Sequence, residues 1–121
     1  MKTFFALPLA LLFVLTTAFN TQKITHRIEL SADEVKAAQS LFDLLPAYKS
    51  NACQELEYTL TYVPYRQDPL AADNYQASFS STTRQYLQQA KSNDYYYLDP
   101  VSTTCNGQKV RLEGYVIKVN N

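Results

Sequence analysis

The sequence predicts an α+β fold, an antiparallel, sandwich-like β-sheet with two short helices packed on it, and three observations carry that expectation. From Glu55 to Tyr62 apolar and polar residues alternate strictly, as a strand with one buried and one wet face requires. Ser31-Ala32-Asp33-Glu34 has the form of a capping box, in which Ser and Glu satisfy each other's backbone donors at a helix start. Asn106-Gly107 is the strongest two-residue hairpin signal, because both residues tolerate the positive φ of a type I′ turn. At 121 residues the chain has room for one domain. With 46% apolar and 13% aromatic residues it can bury a core.

The first stretch stands outside that fold. Lys2 precedes an apolar run, Phe4 to Leu15, interrupted only by Pro8, and Thr16-Thr17-Ala18 then puts small residues where a signal peptidase reads. Residues 1–18 are therefore expected to be a signal peptide cleaved after Ala18. The run is short against the roughly 20 residues of a spanning helix, which argues against a retained anchor. No Cys follows it to take a lipid. A single domain then occupies 19–121, in the periplasm or outside the cell, with no membrane contact after signal removal.

Along that domain the elements follow in order. From Lys23 to Leu30, Ile24, His26, Ile28 and Leu30 alternate with Thr25, Arg27 and Glu29, the pattern of a half-buried strand. His26 falls on the apolar side, where a lone His is expected to be a packed, hydrogen-bonded core residue rather than a catalyst. After the capping box a helix is expected over 32–45, with Val35, Ala38, Phe42 and Leu45 at helical spacing and Pro46 as its stop. The strand at 55–62 ends at Val63-Pro64-Tyr65, since Pro64 has no N–H for the ladder. Arg66-Gln67-Asp68-Pro69 is turn chemistry, and a polar loop is expected around Asp73-Asn74. Ser80 can cap a second helix over 81–91, with Leu87 and Ala90 inward and Asn93 providing a left-handed stop. Tyr95–Leu98 and Val110–Val119 complete the strands, the latter following the Asn106-Gly107 turn.

Export makes pairing the default for two cysteines, so Cys53 and Cys105 are expected to form a disulfide. Two Cys and one His do not approach a four-ligand metal set, and no cofactor is implied. Eleven basic residues balance eleven acidic ones, so there is no broad basic field for nucleic acid. Catalytic patterns are equally thin. There is no His pair, no Gly-x-Ser-x-Gly, and only two Gly in the chain, so no phosphate-cradling glycine loop. Glu55 and Glu57 share the wet strand face, where solvation accounts for them. An enzyme is not expected.

Ten Tyr and no Trp are the compositional oddity. Tyrosine buries area at low entropic cost while keeping a hydroxyl for a partner, and both protein-binding and carbohydrate-binding surfaces use it. On a strand, Tyr96 goes inward with Leu98, leaving Tyr95 and Tyr97 on the other face. Tyr65 and Tyr75, with Arg66 beside the former, fall in turn or loop context. Tyr65, Arg66, Tyr75, Tyr95 and Tyr97 are therefore the candidate binding surface, against the alternative that each ring packs over a neighbouring strand.

The order of these features resembles the C-terminal domain of the GldM family, the periplasmic shaft of the motor for gliding motility and type IX secretion in Bacteroidetes. The features are a capping-box helix, an alternating strand ending in Val63-Pro64-Tyr65-Arg66-Gln67-Asp68-Pro69, and Phe79-Ser80 before a short helix. Leu87 with Ala90-Lys91, Asp94 opening a strand, and Asn106-Gly107-Gln108-Lys109-Val110-Arg111-Leu112 before the last strand follow. The resemblance covers about Ile24 to Val119. It implies a non-catalytic domain that docks a protein partner in the cell envelope. Family members carry a membrane helix, a helical stalk and further β domains ahead of this module, and their pattern has Gly where this chain has Asn93 and no cysteine pair. The expectation is therefore a stand-alone secreted module and not the shaft itself. A secreted carbohydrate-binding module is the alternative class.

Overall fold

Period-two patterning sets up the sheet, and the computed structural model describes it over residues 25–121. The signal peptide expected over 1–18 lies outside the described residues. Ten elements follow in order: β1 (Thr25–Leu30), α1 (Ala32–Ala37), α2 (Leu41–Leu44), α3 (Ala47–Asn51), β2 (Glu55–Val63), β3 (Leu70–Asn74), α4 (Ser81–Gln88), β4 (Tyr95–Cys105), β5 (Gln108–Leu112) and β6 (Gly114–Val119). The strands make one sheet in the order β1-β6-β4-β2-β3, with β5 also on β4. It is antiparallel except for β1 and β6, which run parallel. The α+β class and the largely antiparallel sheet are as expected, whereas the sandwich-like arrangement with two helices is corrected: among the described residues there is one mixed sheet, and four short helices supply the second layer.

One face of the sheet holds the core. Leu56, Tyr58, Leu60 and Tyr62 of β2 alternate inward as their spacing dictates, and join Tyr96, Leu98 and Val101 of β4 and Ile117 and Val119 of β6. The helices bring Val35, Leu41, Leu44, Tyr48 and Leu87 to the same cluster. Tyr62 and Tyr96 stack with ring centroids 4.7 Å apart. Burial holds the phenols of Tyr48, Tyr58, Tyr62 and Tyr96 well above the ordinary tyrosine range, so they keep their protons and serve as core.

The helix expected over 32–45 is two helices. The capping box forms, with Glu34 N donating to Ser31 Oγ at 3.1 Å and Ser31 N to Glu34 Oε1 at 2.8 Å. Ala38 then turns extended, and Ser40 makes an isolated bridge to Ser78. The Asp43 carboxylate accepts from Gln39 N and Ser40 N and restarts the helix. Pro46 stands directly after Leu45, the C-cap of α2, as expected of a stop, and it also opens α3, where a missing N–H costs nothing. The polar loop expected at Asp73-Asn74 belongs to β3. Its inward residues are Ala72 and Asn74, too weakly apolar to show alternation, and Asn74 is buried on Thr83 Oγ1 at 2.8 Å. The helix expected over 81–91 ends at Gln88, and Asn93 adopts φ +76 as expected of the stop.

The last strand is interrupted. β5 pairs Leu112 with Val101 and β6 pairs Tyr115 with Leu98, in one continuous register along β4. The gap falls opposite Asp99-Pro100, where Pro100 has no N–H to give. Gly114 lies against this point: a Cβ there would sit 3.1 Å from Asp99 Cβ, Cγ and Oδ1. Cys53 and Cys105 are joined, with Cα atoms 5.3 Å apart, tying the approach to β2 to the tip of the β4–β5 hairpin. Asn106 and Gly107 adopt φ +52 and +78 in the turn between.

Candidate binding surface on the open sheet face

Residues that alternate away from the helices form a second, open face, aromatic at one end and charged at the other. At the aromatic end Tyr97 pairs across to Thr61 and Val116, and Tyr95 to Val63 and Lys118. The rings of Tyr95 and Tyr97 stack with centroids 6.4 Å apart. Arg27 of β1 places its guanidinium 5.7 Å from the Tyr95 ring centroid, and its Nη2 reaches the Tyr95 hydroxyl at 3.5 Å. Tyr97 is 42% exposed. Tyr65 stands 51% exposed in the turn after β2, with Arg66 over its ring at 5.1 Å. Its N–H donates to Asp94 Oδ1 at 2.9 Å, which fixes that turn beside the start of β4.

Tyr75 lies elsewhere. It follows β3 and, 69% exposed, walls a groove at the charged end of the sheet. The groove runs along β4, whose Pro100, Ser102 and Thr104 are too small to fill the space between longer side chains on β2 and β5. Ser102 pairs with Glu57 on one side and Arg111 on the other, and Thr104 with Glu55 and Lys109. Lys109 Nζ meets Glu57 Oε1 at 2.6 Å, an ion pair that arches over β4 across two strand spacings, roughly 10 Å. It divides the groove into spaces of about 560 and 320 Å³, and both halves are lined by Glu57, Tyr75, Ser102 and Lys109. Arg111 Nη2 meets Asp99 Oδ1 at 3.1 Å, and Thr59 Oγ1 donates to Asp73 Oδ1 at 2.7 Å.

Of the five candidate residues, the fold thus groups Tyr95 and Tyr97 on one patch, sets Tyr65 and Arg66 at the same end of the sheet, and sends Tyr75 to the groove. Glu55 and Glu57 of the groove are legible in the sequence as neighbours on one wet strand face, but the bases opposite them are not. Lys109 and Arg111 do alternate with Val110 and Leu112, but which strand faces them is a matter of pairing. His26 is a correction. It shares a row with Tyr115 as its alternation required, yet lies near the sheet rim with its side chain 45% exposed, hydrogen-bonded to Glu113 Oε1 at 2.6 Å and 5.1 Å from the Tyr115 ring. The edge position of β1 explains why an apolar-side residue is left wet.

Among the described residues no group of three His, Cys, Asp or Glu could hold a metal ion, and no helix is long and apolar enough to cross a membrane. Compared with known protein families and with curated proteins, the chain matches none.

Proposed function

We propose that this chain is an exported, non-catalytic domain that docks a protein partner of the cell envelope through the aromatic end of its open sheet face. The observation that carries the reading is the Tyr95–Tyr97 stack, with Tyr97 exposed and Tyr95 half-buried, on a sheet whose other face is used by the core. Tyr and Arg are the residues most enriched where interfaces concentrate their energy, and here Arg27 and Arg66 each lie over a tyrosine ring of this end. Val63 and Val116, half-buried in the flanking strands, supply apolar floor beside the rings. The motif order resembling the GldM C-terminal domain supports the same style of function, and the signal-like segment supports export. A role in gliding or type IX secretion is the form that the resemblance suggests. The chemistry of the usual catalysts is committed elsewhere: the lone His to Glu113, both Cys to each other.

The test is site-directed crosslinking from position 61, which pairs across to Tyr97 on the same face, in cells that express the chain, repeated with Tyr95→Ala/Tyr97→Ala. A discrete protein adduct that disappears in the double variant and persists when the helical-face residue Lys36 is substituted supports docking. No adduct, together with retention of the chain on immobilised glycans that the same double variant abolishes, would transfer this surface to the carbohydrate-binding alternative.

A further inference from the structure

We infer that the groove along β4 is a second binding site, built for an extended neutral oligosaccharide. This goes beyond the docking reading and uses none of its residues. Three features of the groove select the ligand class.

The first is charge. Lys109 is paired with Glu57 and Arg111 with Asp99, while Asp73 already accepts from Thr59. Asp73 and Glu55 keep their charge but line different spaces, so among the described residues of the groove no basic group is left free for an anion and no two free acids converge on a cation, and the ligand is neutral. The second is hydrogen-bonding capacity. Side chains that only donate (Lys109, Arg111), only accept (Glu57, Asp73) and do both (Ser102) face one trough. A chain of hydroxyls, each able to donate and accept, matches that mixture. A peptide backbone lying there would find no strand edge to pair with, since β4 is paired on both sides. The third is the ring of Tyr75. It is exposed, pairs with no other aromatic ring among the described residues, and offers a flat apolar surface of the kind on which the C–H face of a pyranose stacks.

Shape completes the argument. The larger space, about 560 Å³, is within the range of small-molecule sites, and the smaller continues it beyond the Lys109–Glu57 arch. That pair is well exposed on both partners, at 64% and 46%, so it is held only weakly and sugar hydroxyls can replace it. A ligand that parts it lies along the whole trough, and binding should therefore strengthen with chain length.

Amide NMR titration of the intact, disulfide-bonded protein with cello-, chito-, laminari- and malto-oligosaccharides, as disaccharides and as hexasaccharides, tests this directly. With at least one series the amides of Ser102, Thr104, Lys109 and Arg111 should shift saturably, with the hexasaccharide binding about tenfold tighter than the disaccharide. Tyr75→Ala, a substitution that removes no core, should weaken that binding at least tenfold, while Tyr95→Ala/Tyr97→Ala leaves it unchanged. Absence of saturable shifts at millimolar concentration in every series overturns the inference, as does binding indifferent to Tyr75→Ala. Neither result touches the docking reading, which depends on the other end of the sheet.

Discussion

Asp94 is the buried charge on which three separate segments converge, and replacing it provides a sharp test of how this fold is held. The residue is fully inaccessible. Its Oδ2 accepts from the Tyr62 hydroxyl at 2.7 Å and from Lys91 N at 3.0 Å, while Oδ1 accepts from Tyr65 N at 2.9 Å. One carboxylate thereby joins the end of β2, the stretch after α4 and the entry to β4. In Asp94→Asn one oxygen becomes an amide donor. Placed at the Oδ2 position it can donate to the Tyr62 oxygen, whose proton then turns to Gln89 O at 3.1 Å, but it confronts Lys91 N–H. Flipped, it confronts Tyr65 N–H. Either way one buried donor loses its acceptor, a cost of about 1–3 kcal/mol. Asp94→Ala strands up to three donors and leaves a void, so about 4 kcal/mol is expected, a large share of the 5–15 kcal/mol typical of a domain. The opposing term is the desolvation of the carboxylate, which both substitutions relieve. Urea unfolding at neutral pH, followed by far-ultraviolet circular dichroism with the disulfide intact, measures the balance. The expected order of stability is wild type, then Asn, then Ala. If Asp94→Asn lies within about 0.5 kcal/mol of wild type, desolvation outweighs the hydrogen bonds and the account of Asp94 as a joint is wrong.

Three further outcomes follow from features already described. Cys53→Ser/Cys105→Ser should lower stability by about 4 kcal/mol, the chain-entropy value for a loop of roughly 50 residues, and reductant should reproduce the loss on the unmutated protein; equal urea midpoints with and without reductant would contradict it. The four buried phenols have folded-state pKa values raised above the unfolded value near 10, so their contribution is complete below pH 10 and is lost as pH rises beyond it. Unfolding free energy should fall by about 1.4 kcal/mol per pH unit for each tyrosine that still holds its proton, and a urea midpoint that stays flat to about pH 11.5 would refute this. Gly114→Ala must push the Asp99 side chain aside by a few tenths of an ångström and loosen its pair with Arg111, which should cost about 1 kcal/mol, read as a lower melting temperature with an unchanged circular dichroism spectrum.

How far the sequence reaches is seen best in the strands. β2 was fully legible because Leu56, Tyr58, Leu60 and Tyr62 are large and its outward residues are Glu and Thr. β3 was not, since Ala72 and Asn74 carry its buried side, and a buried Asn declares itself only through Thr83 and Ser80, partners on another element. The same limit applies to the run 32–45. Its apolar spacing continues across the break, and only the competition of Asp43 for the backbone of Gln39 and Ser40 splits it. At the candidate surface, period two alone separates Tyr95 and Tyr97 from Tyr96. The groove is different in kind: it arises because Ser102 and Thr104 lie between Glu57 and Lys109, and strand order is a long-range property that local pattern does not encode. The hairpin turn and the cysteine pair were readable because each rests on short-range chemistry or on simple counting.

The parallel pairing of β1 with β6 has a consequence for how the chain acquires its structure. Thr25–Leu30 finds its partner only in Gly114–Val119, and β6 in turn stands between β1 and β4. Nearly the whole domain must be present before its first strand can dock, so contacts of long sequence separation close the sheet and folding is slow compared with a helical chain of the same size. A polypeptide that stops short of Gly114 would leave β1 unplaced and half of β4 with a bare edge, a sticky intermediate rather than a smaller domain. The order of strands thus delays the native state until the last segment arrives.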